Sequence, residues 1–232
     1  MTIFVLVHGL CHGGWIWGPV ARLLRSAGHG VYAPSLTGMG DRAHLLTASC
    51  GLHLHTREIA NLLDYEDLRD VVLVGAGYGG MVGSGVASLK ATRVAHRVYL
   101  DAPVPDPGES LLDALPAAGS LLATQRIEEG WRVMPPEPGY WGIEDPTLAT
   151  WVRARVSAFA LATCTESVGA PSATVRQERT FLYGEAGGGY AELALRLMAR
   201  GGWRVRELVG KGDALLLRPE WVAGELIALT EE

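Results

Sequence analysis

Apolar residues follow two rhythms along this chain. Unbroken runs at 3–7 and 71–74 have the character of strands buried on both faces of a parallel sheet, and shorter strands are predicted at 31–34, 97–100, 179–183 and 203–208. Between them, residues 15–25, 56–63, 80–91, 190–199 and 219–229 place apolar side chains at helical spacing. Trp17, Val20, Leu23 and Leu24 mark the first of these helices, and Pro219 opens the last. Strands alternating with helices predict an α/β architecture: a mostly parallel central sheet flanked by helices. Residues 37–54 read as a long polar connection, which makes His44, His53 and the following His55 surface groups.

The rhythm breaks at Pro103. From there to about 173 the chain carries many prolines and glycines, short helical patches and the tryptophans Trp131, Trp141 and Trp151. This predicts a small, mainly helical cap inserted after the strand that ends at Asp101. The whole is then one domain over 1–232, with its core in 1–102 and 174–232.

Composition narrows the function classes. Hydrophobic residues make up 48% and charged residues 19%, which fits a packed core rather than a disordered chain. A net charge of −5 argues against nucleic acid as the main partner. No apolar stretch reaches the roughly 18 residues of a membrane span, and MTIFVLVHG reads as a first strand rather than a signal peptide. Cys11, Cys50 and Cys164 are far apart, odd in number and without metal-ligand spacing, so a reducing compartment and no structural zinc are expected. His12, His44 and His53 have no diagnostic metal spacing either. The expectation is a soluble cytoplasmic protein that takes a small molecule, with no cofactor, nucleic acid or membrane partner, and compatible with a homodimer.

Three segments carry a family likeness: FVLVHGLCHGGWIWGPVARLLRSAGHGVYAPSLTGMG, VVLVGAGYGGM and VYLDAPVPDPGES. Together they resemble the α/β-hydrolase superfamily, in particular the small esterases related to plant methylesterases and hydroxynitrile lyases. The likeness implies an α/β-hydrolase fold and an oxyanion hole made by the backbone N–H groups of Leu10 and Tyr78. It also exposes a departure. The strand-to-helix turn that carries Gly-x-Ser-x-Gly in such proteins reads Gly-Ala-Gly77-Tyr-Gly here. The family's C-terminal histidine slot falls on Gly212, and no histidine follows His96. Ser84 lies about two helical turns past the elbow, too far to substitute.

Loss of the serine and histidine removes covalent acyl transfer, while main-chain donors survive any change of side chain. The sequence therefore points to a cofactor-independent, non-hydrolytic enzyme, a cyclase, lyase or isomerase of biosynthesis acting on a small, largely apolar, polyketide-like substrate. Asp101, Leu10 and Tyr78 are its catalytic candidates. His8, Cys11, His12, Trp15, Gly77 and Gly212 are its substrate-binding candidates, the two glycines by enlarging the cavity. Glu185 is a second candidate acid, and Asp213 is a helix cap or a site group. Two alternatives stay open. One is a non-catalytic ligand binder. The other reads residues 75–80 as G-x-G-x-x-G, with Asp101 standing where a dinucleotide-binding oxidoreductase places its ribose-binding acid.

Overall fold

The structure, a computed structural model, describes residues 1–115, 117–170, 177–184, 189–208, 210 and 212–230. Nine strands run in chain order: β1 (Ile3–Val7), β2 (Gly30–Tyr32), β3 (Val71–Ala76), β4 (Val94–Leu100), β5 (Ile127–Glu128), β6 (Arg132–Val133), β7 (Phe159–Ala160), β8 (Glu178–Gly184) and β9 (Arg204–Leu208). The helices are α1 (Gly18–Ser26), α2 (Leu52–Tyr65), α3 (Gly79–Leu89), α4 (Leu111–Ala114), α5 (Ala117–Leu122), α6 (Pro146–Arg153), α7 (Ala162–Thr165), α8 (Tyr190–Arg200), α9 (Ala214–Leu217) and α10 (Pro219–Ala228).

Six strands form one parallel sheet in the order β2-β1-β3-β4-β8-β9. Side chains alternate across a strand, so the continuous apolar run of β1 serves two cores at once. Phe4 and Leu6 face the cluster containing Val20, Leu24, Val222 and Leu226, from α1 and α10. Val5 and Val7 face the cluster containing Ile59, Leu63, Met81 and Val82, from α2 and α3.

Strand order reverses at β1: the chain steps to β2 on one side and returns to β3 on the other. Ligands of open α/β sheets bind where the carboxyl ends of strands meet such a switch point. The register brings those ends level. Val7 pairs with Gly75, Ala76 with Leu100, and Leu100 with Leu182. The loops after β1, β3 and β4 therefore open onto one crevice.

The described residues between β4 and β8 lie over that crevice. They hold α4 to α7 and a three-stranded antiparallel sheet of β5, β6 and β7. The predicted far boundary at 173 lies outside the described residues, as does Glu185. Ser157 fastens the cap at two points: its N–H donates to Cys11 O (2.9 Å) and its Oγ accepts from Gly40 N–H (3.2 Å).

Some elements differ from the sequence expectation. The predicted helix at 15–25 is a 3₁₀ turn (Gly14–Trp17) followed by α1, which restarts around Pro19. Within the expected 37–54 connection lie a 3₁₀ helix (Gly40–Leu45) and the first turn of α2. Gly51 precedes α2 and offers no side-chain cap, so no start signal marked that helix.

Helix α3 leaves β3 through a turn that only glycine permits. A Cβ on Gly75 would lie 2.3 Å from Gly79 O, and one on Gly79 would lie 2.3 Å from Val7 O. Gly79→Ala is expected to destabilise the fold by about 1–3 kcal/mol through overpacking. Gly224→Ala, exposed on α10 with open space around the new methyl, is expected to stabilise it by about 0.5–1 kcal/mol. Urea denaturation of the two variants checks both signs.

Candidate active site

A cavity of about 740 Å³ occupies the crevice beneath the cap, within the roughly 300–1,000 Å³ of small-molecule sites. The oxyanion-loop residues Leu10, Cys11 and His12, the elbow residues Gly77 and Tyr78, and Asp101 all line it. Gly212 and Asp213 join them from the turn before α9. Leu111, Leu115, Leu122 and Phe159 make the cap side apolar.

The elbow is intact as backbone. Gly77 has φ +51°, the left-handed turn that ends β3 and starts α3, and its N–H donates to Leu100 O (3.1 Å). The nearest atom to a Cβ placed there is Gly9 Cα at 3.6 Å, so space over the turn is open. Tyr78 begins the turn into α3, where the first N–H groups of a helix have no intrahelical acceptor. Neither its N–H nor that of Leu10 is hydrogen-bonded to another described residue.

The Tyr78 hydroxyl makes a buried hydrogen bond. His55 Nε2 lies 2.9 Å from Thr37 O, an acceptor only, so that nitrogen carries the proton. Nδ1 is then the acceptor, and the Tyr78 hydroxyl donates to it at 2.9 Å. Burial lowers the pKa of His55 and, as the main cause, raises that of the Tyr78 phenol. Glu58, one turn along α2, accepts from Thr37 N–H (3.0 Å) and from its hydroxyl, and pairs with Arg42 (3.0 Å). His55 is thus an internal anchor for the elbow, which corrects its expected place at the surface. His44 and His53 are exposed, and among the described residues no three His, Cys, Asp or Glu side chains converge as metal ligands.

His8 and Trp15 were expected to contact substrate, but neither lines the cavity. His8 accepts from Leu36 N–H at Nε2 (3.0 Å), which leaves Nδ1 to donate to Gly9 O (2.8 Å). Burial pushes its pKa down to about 4. It is a neutral strut that fixes the oxyanion loop. Trp15 sits one layer back, edge-on to His12 (5.5 Å) and to Trp151 of the cap (5.2 Å). The sequence placed both residues beside the loop but gave no sign of which side they face.

His12 does line the cavity. It packs on Trp141 with ring centroids 4.9 Å apart, and burial drives its pKa down to about 3. Its Nε2 is buried and has no hydrogen-bond partner among the described residues. Cys11 and Cys164 are free, buried and cavity-lining. Burial raises both thiols, Cys164 to about 11, so neither is an activated nucleophile. Ser84 is fully committed, with Oγ 2.9 Å from Gly80 O and 2.8 Å from Tyr99 Oη.

The acids hold the other end of the cavity. Asp101 has φ +43°; its N–H donates to Leu182 O (2.8 Å) and its Oδ1 accepts from Gly184 N–H (2.7 Å). Burial raises its pKa, opposed by the Gly184 bond and by the Arg218 charge. Asp213 caps α9, with Oδ1 accepting from Leu215 N–H (2.9 Å) and Leu216 N–H (3.3 Å). Burial is the main cause that pushes Asp213 up to about 6. The two N–H bonds pull it down, Asp101 adds to the rise, and Arg218 opposes it.

Gly212 does not enlarge the cavity as expected. Its φ is +81°, and a Cβ there would meet Leu217 Cδ1 at 2.7 Å, Trp141 O at 2.8 Å and Gly142 Cα at 3.3 Å. Cap backbone fills the space a side chain would need. Asp213 N–H donates to that same Trp141 O (2.9 Å), which locks cap to core. Gly75, Gly79 and Gly80 are explained by close packing: a Cβ on Gly80 would lie 2.7 Å from Pro103 O. Asp101 turns to Gly184 rather than standing open to a ribose.

Comparison with known proteins agrees with this geometry. A carbendazim-hydrolysing esterase from Nocardioides sp. (strain SG-4G) is 49% identical over 118 residues, 51% of this chain and 49% of that protein. An α-hydroxynitrile lyase from Arabidopsis thaliana is 34% identical over 104 residues, 44% of this chain and 40% of the lyase. The matched segments thus span half or less of the length of these relatives. Among solved structures, an extracellular α/β-hydrolase from a Paenibacillus species superposes with a TM-score of 0.85 at 22% identity, covering 98% of both chains. No helix among the described residues is long and apolar enough to cross a membrane. The α/β-hydrolase family model matches residues 4–225, and with the parallel sheet, the left-handed elbow and the acid after β4 in place, the chain belongs to the α/β-hydrolase family.

Proposed function

We propose that this protein is a non-hydrolytic, cofactor-independent enzyme, a cyclase, lyase or isomerase that acts on a small, largely apolar carbonyl compound. One observation carries the reading. Two unengaged N–H groups, of Leu10 and Tyr78, flank an elbow that bears no side chain at Gly77, and the slot at Gly212 is closed by cap backbone. A cleft of this kind stabilises negative charge growing on a carbonyl oxygen, and among the described residues that line it no serine hydroxyl or cysteine thiol is hydrogen-bonded to an imidazole. One oxyanion donor supplies about 2.7–4 kcal/mol of barrier lowering, and holding a flexible substrate in reactive shape adds several more. Asp101 lines the same cavity as a carboxyl held in place by Gly184.

An apolar cap side fits a hydrophobic substrate, and a hydroxynitrile lyase among the relatives shows that non-hydrolytic chemistry occurs in this family. The esterase relative supports the opposite expectation, so ester hydrolysis is the assay that decides. Three free, buried cysteines fit a reducing, cytoplasmic setting.

Purified protein is expected to hydrolyse p-nitrophenyl butyrate and simple methyl esters at background rates. Turnover that co-purifies with the protein through successive columns overturns the reading. The variant Gly77→Ser/Gly212→His is expected to stay silent as well. Serine fits the open space at 77, but a Cβ at 212 lands 2.8 Å from Trp141 O, where backbone has to move. Regained hydrolysis in this double variant contradicts the account of a closed histidine slot.

A further inference from the structure

We propose that Asp213, with the Asp101 carboxylate facing the same cavity, moves a proton to and from the carbon next to a carbonyl held by the Leu10 and Tyr78 N–H groups. The substrate class is an apolar ketone or β-dicarbonyl with an acidic α-hydrogen. This rests on the non-hydrolytic reading above and adds the group that carries the proton and the bond that breaks.

The two carboxyls reach one cavity from different parts of the fold, Asp101 from the end of β4 and Asp213 from the turn before α9. Each is aimed by backbone. Gly184 N–H holds Asp101 Oδ1, while Leu215 and Leu216 N–H hold Asp213 Oδ1. The Oδ2 atoms of both carry no hydrogen bond to another described residue. A further group in the cavity awaits a polar ligand atom: His12 is 4% exposed, lines the cavity, and has Nε2 without a partner among the described residues. Being neutral, it can hydrogen-bond a substrate oxygen without competing for the proton.

Two carboxylates sharing a desolvated site repel, so over a range of pH the pair holds one proton. Burial and the Asp101 charge raise Asp213 to about 6, and Arg218, at the start of α10, opposes that rise. Tyr190 of α8 and Tyr140 of the cap are the phenols on this side of the cavity, and both stay neutral because burial raises them. A base with this affinity for protons is matched to work near neutral pH.

The step balances without any further reactant. Asp213 carboxylate takes the α-proton, so the C–H bond breaks and an O–H bond forms. The C–H electron pair becomes the C=C bond of an enolate, and the carbonyl π pair moves onto oxygen, facing the two N–H groups. Asp213, now protonated, then returns the proton to carbon at a new position, which is isomerisation, or to a departing β-oxygen, which is elimination; Asp101 stays ionised throughout.

The test uses the full chain in D2O with propiophenone, a ketone whose α-hydrogens exchange slowly, and reads deuterium uptake by mass spectrometry. In parallel, NMR of protein labelled with aspartate ¹³Cγ follows the carboxyl titrations. Asp213→Asn keeps a side-chain cap for α9, and Asp101→Asn keeps a residue that tolerates positive φ; circular dichroism confirms both folds. The wild type is expected to exchange faster than buffer, with a rate that rises as Asp213 deprotonates through about pH 6. Asp213→Asn is expected to lose about 100-fold or more, the low end of what a positioned acid–base group supplies. One carboxyl resonance titrating near 6 should vanish in Asp213→Asn and move to lower pH in Asp101→Asn. Exchange no faster than buffer, exchange retained in Asp213→Asn, or an Asp213 titration indifferent to Asp101→Asn each overturns the proposal. Ester turnover by the wild type instead overturns the non-hydrolytic reading and leaves the titration result as it stands.

Discussion

Helix α3 begins so close to β1 that no side chain fits between them. That contact forces the chain through a left-handed turn at Gly77 and points the first N–H groups of the helix into the crevice between β1 and β3. A sheet of this topology has its crevice there in any case, and the glycines at 75, 79 and 80 convert it into a site with fixed dipoles. His55 holds the far side of the same turn through the Tyr78 hydroxyl, and His8 holds the opposite wall through Leu36. Both imidazoles are neutral and buried, so they position the donors without adding charge.

The second constraint joins the cap to the floor of the cavity. Trp141 O accepts from Asp213 N–H, and Gly142 packs against Gly212 so closely that a Cβ on Gly142 would lie 2.8 Å from Gly212 Cα. The same contact excludes an imidazole at 212 and presents Asp213 to the cavity. The closed space at 212 and the placement of Asp213 in the cavity therefore follow from one contact.

How much of this was legible in the sequence depended on distance along the chain. The β/α rhythm, the elbow at Gly77 and Asp101 at the end of β4 are local patterns, and the structure places them as the residues implied. The place of His55 is hidden in the sequence because α2 follows Gly51, which leaves the helix start unmarked, and the first three residues of α2 fall within the expected connection. Trp15 and His8 flank the right loop but face away from its cavity. Asp213 reads from the sequence as a helix cap or a site group. Its place in the cavity depends on a contact with Trp141, some seventy residues away in the chain, and no local pattern announces that.

The account stands on where a carbonyl oxygen comes to rest. A crystal structure of the protein with a bound aryl ketone or its enolate analogue measures this directly. The account predicts the oxygen over Gly77, about 2.7–3.1 Å from both the Leu10 and Tyr78 nitrogens, as an oxyanion hole requires. An oxygen bound elsewhere in the cavity, or a protein hydroxyl and imidazole converging over Gly77, contradicts it.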